Sequence, residues 1–177
     1  LFSLTCGALL LLTILLFARR RWREEDAPAP AWSEAAAVLL FGLMPLFVYT
    51  SGSAWNHDLP VLLGVWATLA LIHGLRRAAP WGWLLLAGLL AGFAAGTRSS
   101  FVFLLAPFAV AACVGAGGGL KPALLRLAVF GAGAFIGLLP VLYTAVQAPS
   151  AFIFGNVEYA RLNTAFRISE GYARAMT

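Results

Sequence analysis

Charge is what this chain has least of. Its 177 residues include only 12 Lys and Arg and 7 Asp and Glu, so 11% of the chain is charged. A soluble globular domain carries about 25%. Cysteine is scarce too, with only Cys6 and Cys113. Each lies in an apolar run, which reads as a buried thiol rather than as half of a disulfide or metal pair. The templates of soluble enzymes are missing: there is no Gly-x-Ser-x-Gly, no His-Glu-x-x-His and no zinc-ribbon cysteine set. The Gly-rich turn at 115–119 lacks the Lys-Ser/Thr ending of a phosphate loop and reads as a flexible connection. A net charge of +5 does not signal nucleic acid, because the basic residues stand at the ends of apolar runs rather than along one face.

Apolar side chain fills the space that charge leaves. The chain is 62% hydrophobic, with a mean hydropathy of +0.88. A soluble protein of this length could not bury so much; a bilayer can. Apolar segments fall at 1–17, 32–49, 59–74, 80–96, 101–114 and 122–145, each near the roughly 20 residues that cross a hydrocarbon core. Several are short, and tilt or interfacial ends must make up the difference. Ser33 and Glu34 open the second segment. Asp58 caps the third, with Pro60 in its first turn, where a missing N–H does no harm. Pro140 is placed to kink the sixth. The expected fold is all-α: a polytopic membrane helix bundle of about six transmembrane helices over residues 1–145. A polar, amphipathic extracytoplasmic segment follows at 146–177. The chain opens at Leu1 inside an apolar run, without Met or a charged leader, and reads as an internal part of a larger membrane protein.

Orientation follows from the short loops. Arg19, Arg20, Arg21 and Arg23 follow the first segment, Arg76 and Arg77 the third, and Lys121 and Arg126 flank the fifth-to-sixth turn. These alternate loops share one side. The opposite short loops, 50–58 and 97–100, hold only Arg98. The basic side is expected to be cytoplasmic, which puts Asp58, Arg98 and the tail outside. Trp81 and Trp83 then anchor one interface and Trp55 the other. Gly88, Gly92 and Gly96 form a stripe at four-residue spacing, with Gly133 and Gly137 a shorter one, so neighbouring helices can approach there, for tight packing or for movement. The tail alternates aromatic and charged residues, as suits a helix on or near the membrane surface or a solvated connector. Within it Tyr159, Arg161 and Asn163 are weak contact candidates.

Two polar groups stand out. Asn56, His57 and Asp58 interrupt two uncharged apolar runs, and Thr97, Arg98, Ser99 and Ser100 lie between two others. An acid at the mouth of a membrane helix is costly unless paired, hydrated or used. A carboxylate beside an imidazole can bind a metal or hold a hydroxyl acceptor; an Arg beside hydroxyls can bind phosphate through charge-assisted hydrogen bonds. Such parts suit an anionic lipid head group. The plainer readings stand beside them: Asp58 as an N-cap worth about 1 kcal/mol, Arg98 snorkelling to the interface, and His57 as an interfacial hydrogen-bonding residue. His73, at the other end of the third segment, reads as structural.

From about residue 18 to 108 the sequence resembles the membrane core of polytopic glycosyltransferases that use polyprenyl-phosphate sugars, the GT-C type of protein mannosyltransferases and aminoarabinose transferases. The resemblance rests on the Arg19-Arg20-Arg21 turn, the acid opening an apolar helix in Asn56-His57-Asp58-Leu59-Pro60, and the glycine-rich helix from Trp83 ending in Thr97-Arg98. It implies an inverting sugar transfer at the extracytoplasmic face, in a bacterial inner membrane. The partners would be a polyprenyl-phosphate-linked sugar donor, the lipid bilayer and an acceptor the sequence does not identify. Asp58 matches a supporting acid and Arg98 the basic residue near the donor phosphate; Asn56, His57, Thr97 and Ser99 beside them are the remaining substrate-binding candidates. The principal base of that family belongs to an earlier loop, so this chain alone is expected to be inactive. The sequence assigns no cofactor and leaves a divalent metal open, with only the Asp58–His57 pair pointing to one. The rival functions are a transporter or flippase-like protein, and a noncatalytic membrane scaffold.

Overall fold

The computed structural model describes residues 2–24, 33–43, 58–77, 79–114 and 119–170. Among these it is all-helical. The elements are α1 (Phe2–Glu24), α2 (Ser33–Gly42), α3 (Asp58–Leu75), α4 (Trp81–Thr97), a 3-10 segment (Ser99–Leu104), α5 (Leu105–Val114) and α6 (Leu120–Gln147). Then come α7 (Pro149–Ile153), a π-helical turn (Phe154–Glu158) and α8 (Tyr159–Ser169). The chain divides into two compact units, Leu1–Gly137 and Leu138–Thr177.

Two described helices, α3 and α6, are long and apolar enough to cross a membrane. The apolar stretches Phe2–Phe17, Trp81–Thr97 and Ser99–Val114 are shorter. At 1.5 Å per residue α3 and α4 rise about 27 and 26 Å, close to the hydrocarbon thickness of about 30 Å. Helix α1 continues through the Arg cluster to Glu24, past the apolar limit at Phe17. Arg and Glu are good helix formers, so the helix outlasts the hydrophobic signal. The fifth apolar segment is split instead. Its first turns are 3-10, with the Phe101 N–H bonded to the Arg98 carbonyl at 2.9 Å, and the α-helix proper begins at Leu105. Pro107 has no N–H to bond back to residue 103, so it sits in the first turn of a new helix rather than inside a continuous one. Pro140 removes one such bond from α6 without ending it.

Helices α3 and α4 form an antiparallel hairpin. At its turn, a Cβ added to Gly74 would stand 2.9 Å from Trp83 Cβ and 3.6 Å from the Pro80 carbonyl oxygen. Only glycine lets the two helix ends meet there. The Arg77 N–H closes the turn on the Gly74 carbonyl at 3.1 Å, and the His73 ring meets Trp83 edge-on with centroids 4.4 Å apart. The main core joins four helices: Ala67, Ala70 and Leu71 of α3, Leu84, Ala87 and Ala91 of α4, Ala112 of α5 and Phe130 of α6. Alanine dominates because the backbones approach closely.

That approach is closest between α4 and α6. A Cβ on Gly88 would lie under 3.0 Å from the Phe130 carbonyl oxygen and the Ala134 nitrogen, and one on Gly92 would meet the Ala134 carbonyl in the same way. Gly133 and Gly137 reciprocate against the Leu85 and Leu89 carbonyls. The pairs advance together along both helices, so α4 and α6 run parallel. The two glycine stripes are thus two sides of one contact, while Gly96, the third member of the α4 stripe, is half-buried.

Helix α1 also packs parallel to α3. Ser3 pairs with Asp58 near one end, and the Trp66 indole N–H donates to the Thr13 hydroxyl at 2.9 Å farther along. Cys6, Leu10 and Leu62 form the buried seam between these pairs. A parallel neighbour requires the chain to return in between, and α2 begins that return: a Cβ on Gly42 would stand 3.7 Å from Leu11 Cδ2.

In the second unit, the Tyr159 N–H reaches the Phe154 carbonyl, the i→i+5 bond of a π turn. Tyr159, Leu162 and Phe166 recur at helical spacing on α8 and are all exposed. The mixed aromatic and charged tail is therefore helical through Ser169.

Candidate functional site

The hairpin decides which polar residues share an end. With α3 and α4 antiparallel and nearly equal in length, the start of α3 and the end of α4 lie together. That end carries Asp58, Thr97, Arg98, Ser99 and Ser100, and the parallel α1 adds Ser3. The opposite end carries Arg19 and Arg20 on α1, Arg76 and Arg77 at the α3–α4 turn, and Lys121 and Arg126 in the first two turns of α6. The separation of Arg98 from these other basic residues is thus a property of the fold as well as of the loop order.

Asp58 is buried, with 6% of its surface exposed, and among the described residues it is the buried polar or charged side chain of the core. The Ser3 hydroxyl donates to its carboxylate from α1. Asp58 therefore has a partner on another helix, which an N-cap role for its own helix would not need. A carboxylate withdrawn from water and held by a hydroxyl is stabilised where it sits, and a removed donor would be felt in full. Pro60, two residues on, is also fully buried in the first turn of α3.

Arg98 stands at the junction where α4 ends. Its backbone is extended (φ −151°, ψ 118°), and its N–H still bonds to the Ala94 carbonyl at 3.1 Å. This break turns the chain from α4 into the 3-10 segment. The half-buried Arg98 side chain donates from Nε to the Ser100 hydroxyl at 3.2 Å, which fixes the plane of the guanidinium. Thr97 is exposed and its hydroxyl donates to the Ala94 carbonyl at 2.8 Å, leaving its lone pairs to accept rather than donate. Ser99 is exposed at the start of the 3-10 segment.

The structure thus gathers Thr97, Arg98, Ser99 and Ser100 into one junction and ties Asp58 to Ser3 in the α1–α3 seam. The hairpin brings both groups to a common end. Asn56 and His57 lie outside the described residues, as does Trp55. Among the described residues, no group of three or more His, Cys, Asp and Glu side chains is placed to hold a metal. An oriented guanidinium beside hydroxyls suits a phosphate oxygen, and a buried carboxylate suits a hydroxyl donor.

Sequence reasoning missed Ser3. Its signal was present but weak: Ser3, Cys6, Leu10 and Thr13 recur at helical spacing on α1, a face able to follow Asp58, Leu62 and Trp66 on a parallel helix. It also missed a cleft of about 300 Å³ between α1 and α3, bordered by Arg20, His73 and Arg76 at the opposite end. Comparison with protein-family models, with curated proteins and with solved structures finds no match to this chain.

Proposed function

We propose that this chain is part of the membrane core of a glycosyltransferase that moves a sugar from a polyprenyl-phosphate donor to a hydroxyl acceptor. The six apolar segments would all cross the bilayer, the shorter ones by tilting. The end bearing Asp58 and Arg98 would face the extracytoplasmic side, because the basic residues of the other end favour the cytoplasm. One observation carries this reading: a buried carboxylate and an oriented, half-buried guanidinium share an end of the α3–α4 hairpin, away from Arg19, Arg20, Arg76, Arg77, Lys121 and Arg126 at the opposite end.

In the proposed reaction the acceptor oxygen attacks the anomeric carbon, and the bond to the donor phosphate breaks with inversion. Charge then accumulates on the leaving phosphate. Arg98, held by Ser100 and beside the Ser99 hydroxyl, would stabilise it; Thr97, whose proton is held by the Ala94 carbonyl, would not donate to it. Asp58 would act as a supporting acid that orients the acceptor side with Asn56 and His57. The resemblance assigns the principal base to a loop upstream of the helix matched by α1, so the test belongs to the whole protein. In proteoliposomes supplied with a polyprenyl-phosphate sugar, D58N and R98A are expected to lower transfer by about a hundredfold, the scale of losing one transition-state donor. R77Q, at the opposite end, should leave it unchanged. Undiminished transfer in D58N and R98A would remove the assignment.

The helix break at Arg98 is also the kind of discontinuity that transporters use, and it supports the flippase-like alternative. It lies at a helix end rather than at mid-span, which favours the transferase. Movement of the intact lipid-linked sugar across the bilayer without sugar transfer would reverse that preference.

A further inference from the structure

The basic end of the α1–α3 pair holds a second feature that sugar transfer does not use. A cleft of about 300 Å³ opens between the two helices. Arg20 of α1 and Arg76, just past the end of α3, line its basic end with His73, and Leu16, Phe17 and Leu69 line it farther along the two helices. From Leu69 to Arg76 the cleft follows the last two turns of α3, about 10 Å along the helix axis. Away from the arginines the polar lining group is Thr13, whose hydroxyl donates to the Leu9 carbonyl at 2.7 Å and accepts from Trp66 at 2.9 Å. Along the helices away from the arginines the cleft is therefore apolar in effect, and the charge lies at its basic end. His73 is held in place by its edge contact with Trp83.

We infer that this cleft binds an anionic glycerophospholipid, with the phosphate diester on Arg20 and Arg76 and the start of an acyl chain along Leu16, Phe17 and Leu69. Charge and polarity select the occupant. Two guanidinium groups match a lipid phosphate, and an apolar channel leading from them along the helices into the hydrocarbon region matches the attached chain. A soluble anion would meet the arginines but gain nothing from the apolar stretch. A zwitterionic lipid would gain less, because its own cation opposes the two arginines. The inference needs α1 and α3 to lie in a bilayer and does not depend on the transferase reading.

The test is phosphatidylglycerol binding to the full chain, stripped of lipid in detergent, followed by native mass spectrometry beside phosphatidylcholine. The wild-type chain is expected to retain phosphatidylglycerol over phosphatidylcholine. R20Q/R76Q should weaken retention by about thirtyfold, from the usual contribution of each basic residue at an anionic surface. R77Q/R126Q removes equal charge from the same end outside the cleft and should leave retention unchanged. L69W fills the cleft, keeps both arginines, and should also release the lipid. Equal losses in the two double variants would mean a diffuse surface field and overturn the site. So would retention in both, or displacement of the lipid by inorganic phosphate. Thermal unfolding of each variant shows that it remains folded, and because no sugar transfer is measured, failure here leaves the transferase proposal standing.

Discussion

A methyl group added at Gly88 has nowhere to go. It would fall under 3.0 Å from the Phe130 carbonyl oxygen and the Ala134 nitrogen. Both are backbone atoms of α6, so no side-chain rotation relieves the clash, and α4 and α6 must separate. Overpacking of this kind costs about 1–3 kcal/mol. Separation also weakens the close Cα–H···O contacts that such crossings provide, worth about 0.5–1 kcal/mol each. Against this, alanine favours a helix over glycine by about 1 kcal/mol. The balance predicts that G88A destabilises the chain by about 1–2 kcal/mol, and that G88A/G92A does more. Gly131 supplies the control on α6 itself. A Cβ there meets nothing within 4 Å, so G131A should be neutral or stabilising by up to about 1 kcal/mol. Reversible unfolding in mixed micelles, followed by tryptophan fluorescence, measures both. Equal effects of G88A and G131A would refute the packing argument and leave only helix propensity.

The buried pair and the second α1–α3 link give further tests. S3A removes one donor from the Asp58 carboxylate and should cost about 1–3 kcal/mol; in a double-mutant cycle with D58A, a coupling energy near zero would show that the pair is not formed. W66F removes the indole donor to Thr13 while keeping most of the ring, and should cost about 0.5–1 kcal/mol in the same unfolding assay. No change in W66F would mean that α1 is held by its apolar seam alone.

Helix placement was largely legible because apolar runs and their stops are local properties. Segments read at 59–74, 80–96 and 122–145 correspond to α3 at Asp58–Leu75, α4 at Trp81–Thr97 and α6 at Leu120–Gln147. Helix α1 overran its apolar signal because Arg and Glu extend a helix without adding hydropathy. The fifth segment changes from 3-10 to α-helix at Leu105, which puts Pro107 in a first turn despite the unbroken apolar run. The second segment, read at 32–49, is helical over Ser33–Gly42, and the rest of it lies outside the described residues. Pairing was less legible. Gly88 and Gly92 announced a close contact, but only the fold names Gly133 and Gly137 as the other side. Asp58 was recognisable as costly, yet its partner Ser3 lies 55 residues away, and no local pattern joins them. Arg98 was singled out by loop charge, by the hydroxyls beside it and by its place after the glycine-rich helix, and its orientation by Ser100 is a two-residue contact that the sequence placed within reach.

Everything proposed for Asp58 and Arg98 depends on their end of the hairpin facing the extracytoplasmic side. Cysteine labelling with a membrane-impermeant maleimide on intact cells tests this directly, in a chain whose Cys6 and Cys113 are replaced by alanine. S99C is exposed beside Arg98 and should be labelled from outside, whereas R77C, at the basic turn, should react only after the membrane is opened. Labelling of R77C but not S99C on intact cells would invert the protein and contradict the account.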